Sequence, residues 1–418
     1  MERKYLSYWT INSICLSLVI TCSLFTNQAF AQQGTFVDDY LKASFETLNV
    51  KRFEQELTFL DDDPIKSTWI REVEIRAKAK HYNETIDDYR FRVSPTNPWE
   101  IKANKSYQSQ LKQVSEINYS LAISKELKRR YMLLIESFFM YHKLQMIQEE
   151  LNLKQLSIDI DISAGDKLDP IDLIAIESSI ADLEIKKTSL ELDYQDSKLP
   201  IVKESDTDLN WDTWEMISPK KILDIINSSD SSELQNIHKS LADSKLDLKK
   251  KMYQVNKSES FGNIGFMQAN MDLDQGSTFN DHLGFQIGVS IPIVNRKKAD
   301  LARDRFELIE SQNDVDQTYE EVDIDLQSIT KKVTSLNQLL VLIEEKVSRC
   351  DVLLERIQQN PTPGAILKFE QYKVELSAQR NNVYKDLLIA YIEYVDISGL
   401  LASNKDQNYL SPTLTSIH

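Results

Sequence analysis

His81, His142, His238, His282 and His418 are the side chains best suited to acid–base or metal chemistry, and they are scattered along the chain. None has a serine, cysteine or second histidine at a spacing that would make a nucleophile–base pair or a helical metal site. The run Asp61, Asp62, Asp63 and the group Asp206, Asp208, Asp212 concentrate carboxylates, but neither follows the ligand spacing of a calcium loop and both read as solvated linkers. Catalytic, cofactor-binding and metal-ligating residues are therefore not expected, and neither is an enzyme. The patterned chemistry is that of solvation. Phe285, Ile287, Val289 and Ile291 alternate with Gln286, Gly288 and Ser290, and a period of two makes a strand with one apolar and one polar face. Such a strand can separate lipid from water.

The elements that must position this strand are unusual. Residues 262–271 and 283–292 form two arms of about ten residues each, the length a tilted strand needs to cross a bilayer, joined by a polar loop. In the first half, Tyr89, Phe91 and Val93 alternate with Arg90 and Arg92, and Trp99, Ile101 and Ala103 alternate with Glu100 and Lys102. These predict a second, shorter hairpin. Residues 37–60 and 64–85 read as shorter helices.

Downstream of the second hairpin the period changes. Val315, Tyr319, Val322, Leu326, Ile329, Val333, Leu336, Leu340, Ile343, Val347, Cys350, Leu354 and Ile357 recur with gaps of four and three. That heptad seam predicts a long helix, about 297–359, lying against a partner helix. A matching helix is expected over about 107–160, and at about 1.5 Å per residue the two would reach on the order of 80 to 95 Å. Each ends at a break, 165–170 or 360–364, followed by a returning helix. The breaks also align with each other: Pro170 falls on Pro363, Leu173 on Ile366, Ile174 on Leu367, Glu177 on Glu370 and Leu183 on Leu376 at one constant offset. The chain thus reads as internally duplicated, with a first repeat about 37–200, a linker about 200–232, a second repeat about 233–401 and a tail 402–418. The fold class is mostly α with a small β part, built on long antiparallel helical hairpins.

The N-terminus gives a destination. Arg3 and Lys4 precede a mostly apolar run and the small-residue exit Ala29, Phe30, Ala31, so residues 1–31 read as a cleavable secretory signal peptide with the mature chain beginning near Gln32. Cleavage leaves Cys350 as the sole cysteine, a small seam residue. With 65 acidic against 49 basic residues and a formal charge of -16, the chain repels phosphate, and nucleic acid is not an expected partner. The 9 glycines are too few for an all-β fold of many tight turns.

The junction Gly284, Phe285, Gln286, Ile287, Gly288, Val289, Ser290, Ile291, Pro292, Ile293, Val294, Asn295, Arg296, leading into a long charged helix, resembles that of TolC-type outer-membrane efflux proteins. The paired breaks around Pro170 and Pro363 resemble the helical tips of that family, and the resemblance extends over about 37–401. It implies a homotrimer in which each chain gives four strands to one outer-membrane β-barrel and its helices to a coiled-coil tunnel through the periplasm of a double-membraned bacterium. The implied function is the outer-membrane channel of a tripartite efflux or type I secretion system, a passive conduit without cofactor. The implied partners are outer-membrane lipid, a periplasmic adaptor and an inner-membrane pump. Phe285, Ile287, Val289 and Ile291 would face lipid. Asp169, Ile171, Asp172, Gly364, Ile366 and Lys368 would form the periplasmic tip where the adaptor docks. Relatives often carry acidic residues just inside the second tip; here those positions are Ala365 and Lys368, while Asp172 keeps the acid in the first. The rival reading is a periplasmic coiled-coil adaptor or scaffold without a channel, but adaptors flank their hairpins with β-rich modules that this glycine-poor chain lacks.

Overall fold

The computed structural model describes residues 35–62, 68–78, 88–163, 170–205, 209–228, 236–260, 265–272, 283–289, 297–358 and 363–417. Helices α1 (Thr35–Lys42) and α2 (Leu48–Asp62) are followed by strands β1 (Ile70–Lys78) and β2 (Asp88–Pro95). The long helix α3 (Pro98–Ser163) and the returning helix α4 (Pro170–Ser205) complete the first half. The second half repeats the order: α5 (Pro219–Ser228), α6 (Ile237–Ser260), β3 (Gly265–Asp272), β4 (Leu283–Val289), long α7 (Lys298–Gln358) and returning α8 (Pro363–Ile397), closed by α9 (Leu400–Ser403). Four of these helices begin with proline: Pro98, Pro170, Pro219 and Pro363. The first helical position has no intrahelical N–H bond to lose and suits the fixed φ of the ring. The duplicated Pro170 and Pro363 thus mark the starts of the two returning helices.

Two compact units are formed, one from Met1–Val50, Ile123–Leu234 and Ile324–His418, the other from Lys51–Ala122 and Gln235–Asp323. In the first unit both pairs of helices are antiparallel hairpins, because their contacts march in opposite directions along the two chains. Across α3 and α4, Arg130 pairs with Glu204, the rings of Tyr141 and Tyr194 lie 6.0 Å apart and Lys187 donates to Gln148 at 2.9 Å. Across α7 and α8, Lys332 meets Glu393 at 3.7 Å, Arg380 meets Glu344 at 3.2 Å and Lys373 meets Asp351 at 2.8 Å. The heptad seam of α7 is followed by burial: Val315, Val322, Ile329, Val333, Leu340, Ile343, Cys350 and Leu354 are all buried. Cys350 points its thiol at the carbonyl of Phe369, 3.8 Å away.

The stretch between the halves is more than a connector. The boundary expected near 200 falls within α4, and Trp211 and Trp214 are buried with their rings edge-on to Phe36 of α1 and Phe138 of α3. Arg130, 2% exposed, stacks its guanidinium over the Tyr40 ring and donates to the Tyr40 carbonyl, fastening α1 to α3. The C-terminal tail packs here too. Tyr131 donates its hydroxyl to the Gln407 carbonyl at 3.1 Å and accepts from the Tyr409 N–H, while Asn408 donates to Asp38 at 2.7 Å. Gly399, with φ 83°, occupies the left-handed conformation that lets α8 stop and the chain turn into α9.

In the second unit, each strand pair is flanked by antiparallel helices. Lys112 of α3 reaches Asp61 of α2 at 2.5 Å, and along α6 and α7 Lys239 meets Asp323, Asp243 meets Tyr319, Lys249 meets Glu307 and Asn256 meets Asp304 at 2.6 to 2.8 Å. The Lys249 hydrogen bond and charge hold the Glu307 carboxyl below its ordinary range.

Two expectations are corrected. The segment expected as a helix over 64–85 contains β1 over Ile70–Lys78, and the first hairpin pairs β1 with β2 rather than β2 with the residues after it. Glu, Arg, Ala and Lys favour helix locally, but Val73, Ile75 and Ala77 alternate with Glu72, Glu74, Arg76 and Lys78, and a ladder partner outweighs propensity. Trp99, Ile101 and Ala103 lie in the first turns of α3, where Asn97 caps the helix by accepting from the Trp99 N–H at 3.0 Å.

Candidate functional site: a sheet with one apolar and one polar face

The four strands form one antiparallel sheet in the order β1-β2-β3-β4. From Glu72 of β1 onward, its register brings the odd-numbered side chains of the four strands to one face. Ile75, Phe91, Ala269 and Phe285 form one row across the sheet, Val73, Val93, Met267 and Ile287 the next, and Ala77, Tyr89, Met271 and Leu283 a third. Val289 continues the face beside Gly265. Phe285 is 83% exposed, Ile287 77%, Ile75 72% and Met267 61%. A face of this composition left open to water would cost roughly 25 cal/mol per Å² of apolar surface, so it requires an apolar environment.

The opposite face is polar except for Phe266, which pairs with Gly288. Its rows are Lys78 and Asp88; Arg76, Arg90, Asn270 and Gly284; and Glu74, Arg92, Gln268 and Gln286. Arg76 is bonded to Glu74, and Arg90 to Asp88 at 3.3 Å. Among the described residues, the strands at the two edges, β1 and β4, have one neighbour each. Their outer backbone groups need a further strand wherever water is excluded.

Of the residues singled out in the sequence, Phe285, Ile287 and Val289 share this apolar face; Ile291 lies outside the described residues. Val73, Ile75 and Ala77 were missed because β1 read as a helix. At the tips, Ile171 is 73% exposed in the first turn of α4, Ile366 is half-buried and Lys368 is exposed at the start of α8. Gly364 and Asp172 lie in the first turns of α8 and α4. Asp169 is outside the described residues. Among the described residues no helix is long and apolar enough to cross a membrane, and no group of three or more metal-ligating side chains occurs.

Neither a protein-family profile nor a curated protein matches the chain. Solved structures do. The open state of the MtrE outer membrane channel of Neisseria gonorrhoeae superposes with a TM-score of 0.61 over 92% of this chain and 91% of its own, at 9% identity. The outer membrane protein VceC of Vibrio cholerae gives 0.61 over 88% and 96%, at 10% identity. The CmeC outer membrane channel of Campylobacter jejuni gives 0.58 over 88% and 85%, at 11% identity.

The chain has the fold of these outer-membrane channels. With so little identity shared, the likeness resides in the arrangement of helical hairpins and strands rather than in particular side chains. It is also the TolC-type fold that the strand junction and paired tips of the sequence resemble.

Proposed function

We propose that this chain is the outer-membrane channel of a tripartite efflux or type I secretion system, a passive conduit across the periplasm and outer membrane. The observation that carries the reading is the exposed apolar face spread over all four strands of a sheet whose two edges are open. In lipid every backbone polar group must be satisfied within protein, so an open sheet cannot stand alone there. Three copies joined β4 to β1 would close twelve strands into a barrel, with the apolar face towards lipid and the polar face around a wet lumen. The fold shared with MtrE, VceC and CmeC supports this arrangement. Export follows from a signal peptide over residues 1–31.

At the other functional region, the tip residues Asp169, Ile171, Asp172, Gly364, Ile366 and Lys368 would form the periplasmic entrance and the surface for an adaptor, which an inner-membrane pump supplies with cargo. The exposed Ile171 supports a covered tip. The test is to express the full chain, separate the envelope and measure conductance of the purified protein in planar bilayers. Outer-membrane fractionation, a trimer by crosslinking and discrete conducting pores are expected. A soluble periplasmic pool holding most of the protein would refute the channel. For the tip, single cysteines at Asp172 and Lys368 in a Cys350→Ser background should crosslink to a co-expressed adaptor.

A further inference from the structure

On the polar face of the sheet one cation is held apart from the others. Arg92 of β2 extends its guanidinium over the ring of Phe266 on β3, 3.8 Å from the ring centroid. The two residues are diagonal neighbours on that face, since Arg92 pairs with Gln268 and Val93 with Met267. The ring itself is seated on a glycine. Phe266 pairs with Gly288 of β4, and a Cβ added at Gly288 would lie 2.2 Å from Cε1 and 2.4 Å from Cζ of the ring. Only glycine lets the ring lie down against β4, and the flattened ring is the platform for the guanidinium.

The neighbouring charges are spoken for. Glu74, the carboxylate opposite Arg92 in the register, is bonded by Arg76, and Asp88 is bonded by Arg90. Among the described residues Arg92 has no carboxylate partner, and its Nε is buried without a hydrogen bond. Glu72 lies opposite Ser94, one row away from Arg92. Two of the three arginines are therefore locally neutralised, and the third is a fixed positive charge raised on an aromatic ring.

We propose that Arg92, propped by Phe266 on Gly288, is a selectivity-determining residue of the conduit that favours the passage of anionic solutes. The inference rests on the channel reading, because only barrel closure turns this face into a lumen wall. Three copies would then set three guanidiniums at one level of a lumen where, among the described residues, the other charge of that row, Glu74, is paired with Arg76. The Phe266 ring adds bulk in the adjacent row. In a chain of formal charge -16 this ring is a local inversion of sign. An unpaired guanidinium recognises oxyanions and halide alike by charge. A fixed charge near contact distance in water changes local ion occupancy by roughly two- to fivefold.

The test is planar-bilayer recording of the full-length protein across a potassium chloride gradient, comparing the wild type with Arg92→Gln, Arg92→Lys and Gly288→Ala. Arg92→Gln is expected to move the reversal potential towards potassium, lowering the chloride-to-potassium permeability ratio by roughly two- to fivefold, with the difference fading in molar salt as screening shortens to about 3 Å. Arg92→Lys should retain the wild-type sign. Gly288→Ala should shift the ratio in the direction of Arg92→Gln without altering any charge, because the displaced ring no longer holds the guanidinium in place. Pores whose reversal potential is the same in the wild type and Arg92→Gln overturn this inference and leave the channel standing. A wild-type protein that opens no pore overturns the channel reading itself.

Discussion

Replacing Ile287 with arginine tests the two-faced sheet most directly. Ile287 lies at the open edge strand β4, 77% exposed, in the row that also holds Val73, Val93 and Met267. Its neighbour in sequence, Gln286, points to the opposite face beside Gln268. If the odd-numbered face meets lipid, arginine at 287 costs about 2 to 4 kcal/mol per chain near the bilayer midplane. Three chains in one barrel make that roughly 6 to 12 kcal/mol per assembly, comparable with the 5 to 15 kcal/mol net stability of a typical domain. Arginine at 286 replaces one solvated polar side chain by another and costs little. The two substitutions introduce the same residue one position apart, so differences in expression or export cancel. The assay is the fraction of protein recovered in the outer membrane as a heat-labile trimer on semi-native gels. Ile287→Arg should lose most of the trimer and Gln286→Arg should keep it. Equal recovery of both variants, or a larger loss for Gln286→Arg, would refute the assignment of faces.

Tyr131→Phe removes the hydroxyl that bridges the Gln407 carbonyl and the Tyr409 N–H, and the loss of buried partners should destabilise the first unit by about 1 to 3 kcal/mol, read from urea denaturation. Trp211→Ala should cost about 3 to 5 kcal/mol, because a buried indole that faces Phe36 and Phe138 and bonds the Tyr194 hydroxyl leaves a cavity; proteolysis should then release α1 first. Asp38 gives a pH effect. Burial raises its carboxyl above the ordinary 3.8, opposed by the Asn408 hydrogen bond. A raised folded-state value means that its contribution is full below pH 3.8 and is lost as pH rises through the raised value. Asp38→Asn should therefore be more stable relative to wild type at pH 7 than at pH 3.5, and a thermal difference that does not change with pH would contradict this.

Periodicity alone determined the long elements. The gaps of four and three from Val315 to Ile357 needed no partner to be recognised, since they are a property of one helix presenting one stripe, and Pro170 and Pro363 marked where the returning helices begin. The alternation from Phe285 to Val289 was equally legible, because β4 is apolar on every second residue and uncharged on the others. Tertiary pairing decided the rest. In β1 the residues that flank and separate Val73, Ile75 and Ala77 are Glu72, Glu74, Arg76 and Lys78, which favour helix when alone, and a register shift between Ile70 and Glu72 interrupts the alternation. Only the ladder to β2 makes that segment a strand. Conversely, Trp99, Ile101 and Ala103 alternate as a strand would, yet Asn97 and Pro98 start a helix there. The clusters around Trp211 and Tyr409 join residues far apart in sequence, and so does the Arg92, Phe266 and Gly288 stack, where three strands each supply one residue. A local pattern reports how a segment presents its faces to whatever lies beside it. Which segment lies beside it is settled by the register of the whole sheet and the packing of the helices, where burial and hydrogen bonding outweigh the tenths of a kcal/mol that separate local preferences.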